Sequence, residues 1–201
     1  TLTDSKHDIA GAQVWVLQQL GVQNVPKEML FPYIGKTLEE TFSTLLPAEL
    51  HDRIPEAAQM YSDYYRPRSL ETTKLFPGVR ETLEIFHSHG KRMAIASTKK
   101  GQGIRRATDH FGITEFFVQL QGSDGIPYKP DPFIIHLIIS DQQWNANETL
   151  MVGDTDNDIL AGKNAGITTC AVTYGSLSSE QLRRYNPDYL IDSFPQLLSL
   201  V

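Results

Sequence analysis

The sequence of 201 residues predicts an α/β fold, with a parallel, doubly wound sheet preceded by an all-helical block. Two patterns favour this fold. From about residue 75 onward, short apolar runs alternate with helical segments of about 10 to 15 residues, as in consecutive strand–helix–strand units. Between residues 6 and 70, apolar residues recur only at helical spacing. The length fits one domain, or a core domain with a modest insertion.

The helical block contains four predicted segments. The first spans about residues 6–20, the second begins at residue 26, and the third begins at residue 37. The fourth runs from residue 47 or 55 to about residue 67. Gly21 is a plausible end for the first segment, because glycine commonly follows a helix. The third carries a capping box, since Thr37 and Glu40 have the S/T-x-x-E spacing that lets each cap the other's backbone.

The rest of the chain is predicted to alternate between buried strands and helices. The strands are short apolar runs, which suit a sheet covered on both faces. They are expected at residues 93–96, 116–120, 149–152, 168–173 and 189–191. The helices begin near proline, glycine or aspartate, and they are expected at residues 77–90, 101–111, 131–142 and 156–165.

Composition excludes several classes of protein. The chain has 18 Lys and Arg against 24 Asp and Glu, a net charge of −6, whereas nucleic-acid binders present a basic face. Cys170 is the one cysteine, which excludes a disulfide framework and a cysteine zinc site. No apolar run approaches the roughly 20 residues of a spanning helix, and the start shows no signal peptide. We therefore expect a soluble, cytoplasmic protein with neither nucleic-acid nor membrane partners.

Candidate phosphate ligands follow the predicted strand 93–96, at the edge where open parallel sheets bind ligands. Ser97 and Thr98 offer hydroxyls, and the backbone N–H groups that enter the next helix can also donate to phosphate. An ordinary helix cap is the simpler interpretation. Lys129 stands before Pro130 and Pro132, which stiffen the backbone and favour a fixed positive charge. A solvated lysine beside a turn is the alternative there.

The loop G-D-T-D-N-D after the predicted strand 149–152 places Asp154, Asp156 and Asp158 within five residues. Carboxylates this close repel one another unless a cation or a lysine offsets them. Oxygen ligands favour Mg²⁺ over zinc. Acids at a helix start are the alternative, and Asp156 fits it well. A hydroxyl, a fixed lysine and a carboxylate pair together make a site for Mg²⁺ and phosphate, where positioning and charge neutralisation drive phosphoryl transfer.

The order of these residues resembles that of the haloacid dehalogenase superfamily of phosphatases. The hydroxyl of Ser97 comes first, Lys129 follows, and Asp154 and Asp158 lie in the acidic loop. Three flanking segments are similar to the phosphoglycolate phosphatase-like branch. They are F-P-G-V at residues 76–79, K-P-D-P at residues 129–132, and the segment that begins with G-D at residue 153 and ends with A-G at residue 166. The resemblance covers essentially the whole chain. It implies a Rossmann-like core formed by residues 1–5 and 73–201, and a helical cap formed by residues 6–72.

The first motif of the family has the form D-x-D-G-T-L-x-D-S, and Thr1 to Ser5 match only its tail. The resemblance therefore implies that the nucleophilic aspartate lies four residues before Thr1 and the acid/base aspartate two residues before it. The first strand, which is central in this family, would also precede Thr1. We therefore expect a gap in the sheet.

The resemblance implies a phosphatase that uses Mg²⁺ and an aspartyl-phosphate to hydrolyse a small phosphorylated metabolite similar to phosphoglycolate. Asp154 would bind Mg²⁺. Ser97, Thr98 and Lys129 would hold the phosphoryl oxygens. Asp158 would orient Lys129 or a metal-bound water, so the catalytic set is Ser97, Lys129 and Asp158. The protein is expected to be a monomer or a homodimer.

Two alternatives remain open from the sequence. Phosphosugar mutases of this superfamily have a similar core, but their cap carries an arginine in a segment such as G-V-S-R-E-D. Here the corresponding text from Gly35 to Glu40 has Leu38 in that place, which disfavours a mutase. The other alternative is a non-catalytic phosphate-binding protein, if the chain truly starts at Thr1.

Overall fold

The computed structural model describes residues 1–201. The chain divides into two compact units. The first, here called the helical unit, comprises residues 3–74, and the second, here called the sheet unit, comprises residues 1–2 and 75–201. None of the helices combines the length and the apolar character that crossing a bilayer requires.

The helical unit contains the α-helices α1, α2 and α3, which span Lys6–Gln19, Leu38–Leu45 and Ile54–Arg68. Two 3₁₀ helices connect them, Lys27–Tyr33 and Ala48–Arg53. All four predicted segments are therefore confirmed, and the capping box at the start of α2 is present in both directions. The core of the unit is apolar, and its members with no exposed surface include Val16, Leu17, Leu30, Phe42 and Ala57.

The buried face of α1 agrees with the sequence pattern in part. Helical periodicity predicts an apolar face with Ile9, Ala12, Trp15, Val16 and Leu20. Ala12, Val16 and Leu20 are buried, whereas Ile9 and Trp15 are only partly buried. Gln13 and Leu17 are buried as well, and the 3₁₀ helix after α1 and helix α3 both pack against α1. Trp15 stacks on Tyr64 of α3 with ring centroids 4.2 Å apart. A polar glutamine thus occupies a position that hydropathy alone would assign to the surface.

The sheet unit contains five parallel strands that alternate with helices. In chain order the α-helices are α4 (Val79–Ser88), α5 (Gly101–His110), α6 (Phe133–Gln142), α7 (Asp156–Asn164) and α8 (Ser179–Arg183). Short strands β1 (Thr3–Asp4) and β2 (Lys74–Leu75) pair with each other before them. The parallel strands are β3 (Met93–Ala96), β4 (Phe117–Gln121), β5 (Leu150–Gly153), β6 (Thr168–Val172) and β7 (Tyr189–Ile191).

The parallel strands form two separate sheets. Strand β3 pairs with β4, and β6 pairs with both β5 and β7. Strands β3 and β5 share no ladder, so each is an edge of its own sheet. The predicted α/β, doubly wound fold is confirmed, and β3 and β5 do not pair with each other in the chain described.

Helices cover both faces of the β5–β6–β7 sheet. Cys170 and Val172 of β6 belong to the core cluster that α4 forms with the C-terminal 3₁₀ helix Phe194–Ser199. Ala171 points the other way and packs with Ile159 of α7. Because successive side chains of a strand face opposite sides, this alternation shows that β6 is buried on both faces.

The short strands β1 and β2 were not predicted from the sequence, and neither were four further short elements. The four are helix α8 and the 3₁₀ helices 114–116, 146–148 and 194–199. Helix α8 has five residues, of which only Leu182 is buried, so it shows no apolar stripe. Its start does carry a signal, since Ser178 and Gln181 form a capping box.

Asp8 ties the beginning of the helical unit to its end. One carboxylate oxygen accepts hydrogen bonds from the Oγ1 and N–H of Thr72, at 2.5 and 3.3 Å. The other accepts from the Oγ1 and N–H of Thr73, at 2.6 and 3.0 Å. Partial burial by itself raises the pKa of Asp8, but these hydrogen bonds outweigh it and leave the pKa below its ordinary value of 3.8.

Replacing Asp8 by asparagine should lower the free energy of unfolding by about 1 kcal/mol at pH 7, because the amide group faces donors and the negative charge is lost. The folded-state pKa is depressed, so the carboxylate stabilises the fold above about pH 4 and loses this effect as the pH falls further. Urea unfolding of both proteins from pH 7 to pH 3 measures the difference. Glu49→Gln, at an exposed acid, is the control. A difference that is absent at pH 7, or unchanged at pH 3, would contradict the assignment.

Candidate active site

The predicted site residues lie at the carboxyl ends of β3 and β5 and in the loop between β4 and α6. Ser97 directly follows β3, and Asp154 directly follows β5. Lys129 lies in the loop that leaves β4, and its peptide bond to Pro130 is cis. This is the edge at which parallel α/β sheets bind ligands.

Lys129 and Asp158 form a buried ion pair. Their side chains are 6% and 9% exposed, and Lys129 Nζ lies 2.5 Å from Asp158 Oδ1. Lys129 Nζ also donates to the carbonyl oxygen of Ala96, the last residue of β3, at 2.9 Å. The alternative of a solvated lysine is therefore excluded. The ammonium group is fixed between the end of β3 and the first turn of α7.

Asp158 is fully engaged by its own loop as well. Its Oδ2 accepts hydrogen bonds from the N–H groups of Asp154 and Thr155, at 3.2 and 3.1 Å, and from Thr155 Oγ1 at 2.8 Å. Thr155 and Asp158 thereby form the capping box of α7. Gly153 permits this arrangement, because a Cβ there would lie 2.1 Å from Asp158 Cβ. Asp158 therefore orients Lys129, and both of its oxygens are engaged in doing so and in capping α7.

Asp154 is buried and its two oxygens have different partners. Oδ1 accepts from the amino group and the Oγ1 of Thr1, at 2.7 and 2.6 Å. Oδ2 accepts from the N–H of Ser176 at 2.9 Å. Burial by itself raises the pKa of Asp154, whereas the hydrogen bonds from Thr1 Oγ1 and from the N–H of Ser176 lower it. Gly175 has no room for a side chain, since a Cβ there would lie 2.2 Å from Asp154 Cβ.

Ser97 begins a tight turn. Its Oγ accepts a hydrogen bond from the N–H of Lys99 at 3.1 Å, which leaves the hydroxyl hydrogen available to donate. Its N–H donates to the carbonyl of Gln121 at 3.0 Å. The N–H of Gly101, at the start of α5, is taken by Asp124 Oδ2 at 2.6 Å. The sequence interpretation assigned the N–H groups entering this helix to phosphate, and the Asp124 contact corrects that for Gly101.

The structure thus joins Lys129, Asp158 and Asp154 through direct bonds and places Ser97 next to them. Lys129 bonds to Asp158, and Asp158 accepts from the backbone of Asp154. Ser97 follows the Ala96 carbonyl that Lys129 binds. Sequence reasoning missed the support from Ser176 and Asp124. Ser176 donates its own backbone N–H, and the Asp124 carboxylate accepts from the backbone N–H of Gly101, so no pairing of side chains provides a signal.

The residues present can hold a divalent cation through Asp154. No cluster of three or more His, Cys, Asp or Glu side chains occurs that could bind a metal by itself. Asp154 nevertheless places carboxylate oxygens at the carboxyl end of β5, and oxygen is the ligand type that Mg²⁺ takes. Mg²⁺ commonly binds through one or two carboxylates, with waters and substrate phosphates completing the octahedron. A single carboxylate therefore fits Mg²⁺ and does not fit an all-protein metal cage.

Comparison with known proteins identifies the family. Residues 1–172 match the family model described as haloacid dehalogenase-like hydrolase. The chain belongs to this family. A phosphoglycolate phosphatase of Vibrio parahaemolyticus is 33% identical over 209 positions, which cover 100% of this chain and 92% of that protein. A pyrophosphatase of Halalkalibacterium halodurans is 32% identical over 169 positions, or 84% of this chain and 77% of that protein.

The fold of this hydrolase also recurs in solved structures. A haloacid dehalogenase-like family protein from Streptococcus pneumoniae superposes with a TM-score of 0.90 at 28% identity, covering 100% of this chain and 93% of the other. The predicted family, the fold class and the prediction of a phosphatase-type hydrolase are therefore confirmed.

Replacing Gly153 by alanine should disrupt the acidic loop of this hydrolase, because the new Cβ would overlap Asp158. We expect a loss of about 1 to 3 kcal/mol in the free energy of unfolding, the usual cost of overpacking. Gly103→Ala is the matched control, since a Cβ in α5 at that position meets no atom within 4 Å. It should be neutral or stabilising by up to about 1 kcal/mol. Equal stability of the two variants in urea would contradict the crowding at residue 153.

Proposed function

We propose that this hydrolase is a Mg²⁺-dependent phosphatase that hydrolyses a small organic phosphomonoester, phosphoglycolate or a similar compound, through an aspartyl-phosphate intermediate. The phosphoglycolate phosphatase from Vibrio parahaemolyticus, which matches the whole of this chain, supports this class of substrate. The site residues proposed are Ser97, Thr98, Lys129, Asp154 and Asp158.

The observation that carries the proposal is the fixed ammonium group of Lys129. A lysine has three N–H donors, and here two of them are used by Ala96 O and Asp158 Oδ1. The third is free for a phosphoryl oxygen. Because the group is buried and its direction is set from two sides, its charge acts in a medium where it is screened less than in water.

Ser97 and Thr98 would complete the phosphoryl binding. The hydroxyl of Ser97 has its oxygen occupied by Lys99 N–H, so it can act as a donor. The N–H of Thr98 takes part in none of the hydrogen bonds that fix this loop. A hydroxyl, a backbone amide and an ammonium group are donors of the kind that stabilise developing charge in phosphoryl transfer.

Mg²⁺ would bind at Asp154, whose other oxygen is fixed by the Ser176 N–H. When bound, the ion would neutralise phosphoryl charge and align the group for in-line attack. Asp158 would not bind the ion, because Lys129, Thr155 and the backbone use both of its oxygens. Its role would be to keep Lys129 in place.

The covalent steps use the aspartates that the family motif places before Thr1. The first attacks phosphorus as the ester bond breaks, and the second gives a proton to the leaving oxygen. The second then takes a proton from the water that hydrolyses the aspartyl-phosphate. In this proposal residues 1–5 and 73–201 form the core and residues 6–72 the cap, a division that agrees closely with the two compact units.

The substrate proposal is tested with the full-length protein, Mg²⁺ and a panel of phosphoglycolate, a hexose phosphate and pyrophosphate. We expect phosphoglycolate or a close analogue to give the highest kcat/KM. A requirement for a sugar bisphosphate, with no net release of phosphate, would favour the mutase alternative. Tight binding of phosphate without turnover would favour a non-catalytic protein.

Lys129→Ala should lower kcat at least tenfold, because it removes the fixed charge from a shielded position. The variant should still fold, since Asp158 keeps three hydrogen bonds from residues 154 and 155. Circular dichroism and urea unfolding check the fold beside the kinetics. Near-normal turnover in a folded variant would refute the role of Lys129.

Asp154→Asn should weaken Mg²⁺ binding, because the amide lacks the negative charge that attracts the ion. The expected result is a Mg²⁺ concentration for half-maximal activity at least tenfold higher than in the wild type. Mg²⁺ binding measured by calorimetry without substrate gives an independent readout. Asp156→Asn, at a helix-start acid, is the control and should leave Mg²⁺ binding unchanged. Unaltered Mg²⁺ dependence of Asp154→Asn would exclude this residue as the ligand.

A further inference from the structure

The turn that follows β3 is bound along its whole length by the loop that follows β4. This phosphate loop, here defined as residues 96–101, contains the proposed phosphate ligands Ser97 and Thr98. The clamp loop, here defined as residues 121–129, ends at Lys129. Five hydrogen bonds connect the two loops, and each of five residues in the phosphate loop takes part in one of them.

Two of these five bonds repeat the strand pairing or involve the lysine already described. The N–H of Ser97 donates to Gln121 O, and Lys129 Nζ donates to Ala96 O. Both would be expected wherever parallel strands end beside a fixed lysine. They do not explain why the turn itself, from residue 98 to 101, adopts one conformation.

The remaining three bonds come from Ser123 and Asp124. Ser123 Oγ donates to Thr98 O at 2.7 Å, and its N–H donates to Lys99 O at 3.2 Å. Asp124 Oδ2 accepts from the N–H of Gly101 at 2.6 Å. The turn is therefore fixed at its middle and at its end by two adjacent side chains from another segment.

Ser123 is buried at this position, and the glycine before it lets the two loops approach each other closely. Ser123 is 6% exposed, so its hydroxyl would be costly to leave unpaired. A Cβ at Gly122 would lie 2.4 Å from Gly101 N and 2.7 Å from Lys99 O. The two backbones are thus in close contact, and only a residue without a side chain fits between them.

Asp124 also determines which donors the turn can offer. Its carboxylate occupies the first N–H of α5, where a free helix terminus would attract the phosphate away from Ser97. It thereby removes the N–H of Gly101 from the donors that the turn can offer, beside the hydroxyl of Ser97 and the N–H of Thr98.

We propose that Ser123 and Asp124 are positioning residues, which hold the phosphate loop in the conformation that binds the phosphoryl group. This inference rests on the proposed function, because it assumes that Ser97 and Thr98 are phosphate ligands. Neither residue needs to contact the substrate. Their effect is on the affinity for phosphate, since the same loop conformation serves the bound substrate and the transition state.

The test compares Ser123→Ala, Asp124→Ala and Asp124→Asn in the full-length protein. Each alanine variant should raise both KM and the inhibition constant of inorganic phosphate about three- to tenfold, with kcat changed less than twofold. Asp124→Asn keeps an acceptor for Gly101 N–H and should restore most of the affinity. Asn145→Ala is the matched control. It removes a side chain that also accepts from a backbone N–H, but at the start of β5.

Ser97→Ala separates failure of this inference from failure of the proposed function. If Ser97→Ala weakens phosphate binding while Ser123→Ala and Asp124→Ala stay within twofold of the wild type, the positioning role is overturned and the function stands. If Ser97→Ala also binds and turns over normally, both are overturned. An equal loss of phosphate affinity in Asn145→Ala would show a general effect of stability, and it would overturn the positioning role too.

Discussion

The arrangement of the site depends on one buried ion pair, that of Lys129 with Asp158. Removing two charges from water is costly, and their mutual attraction offsets that cost only when geometry and further hydrogen bonds are favourable. Both conditions are met here, because Asp158 receives three more hydrogen bonds and Lys129 one more carbonyl. A pair of apolar side chains would stabilise the fold about as well. The charges are therefore better explained by the position they give to the ammonium group than by stability.

Three glycines allow the segments around this pair to approach one another. A side chain at Gly153 would overlap Asp158, one at Gly175 would overlap Asp154, and one at Gly122 would overlap the backbone of residues 99 and 101. Each glycine lies where a second segment contacts the loop that carries a site residue. The site is thus formed by backbones in close contact, and this explains why so many of its hydrogen bonds end on backbone N–H groups and carbonyl oxygens.

The sequence predicted the order of helices and strands and the residues that surround the ion pair. It succeeded where the signal is local: apolar runs for β3 and β5, the capping box at Thr37, and the acidic loop after residue 152. It failed where the cause is distant in the chain. Gln13 is buried, and α3 and a 3₁₀ helix pack against α1. The contact of Asp124 with Gly101 spans 23 residues and uses a backbone donor. No periodicity or motif encodes such a contact.

Two kinds of contact connect β3 with β5, the strands that Ser97 and Asp154 directly follow. Helices α6 and α7 pack together with both strands, through the cluster that includes Ile134, Ala161, Ala96 and Met151. Apolar packing of this kind limits the distance between the two strands. It fixes their relative orientation only weakly, since it is non-directional. Lys129 supplies the direction, because its two bonds connect the end of β3 to the first turn of α7. In the described chain, the hydroxyl of Ser97 and the carboxylate of Asp154 are therefore linked most directly through Lys129, which would also bind the substrate.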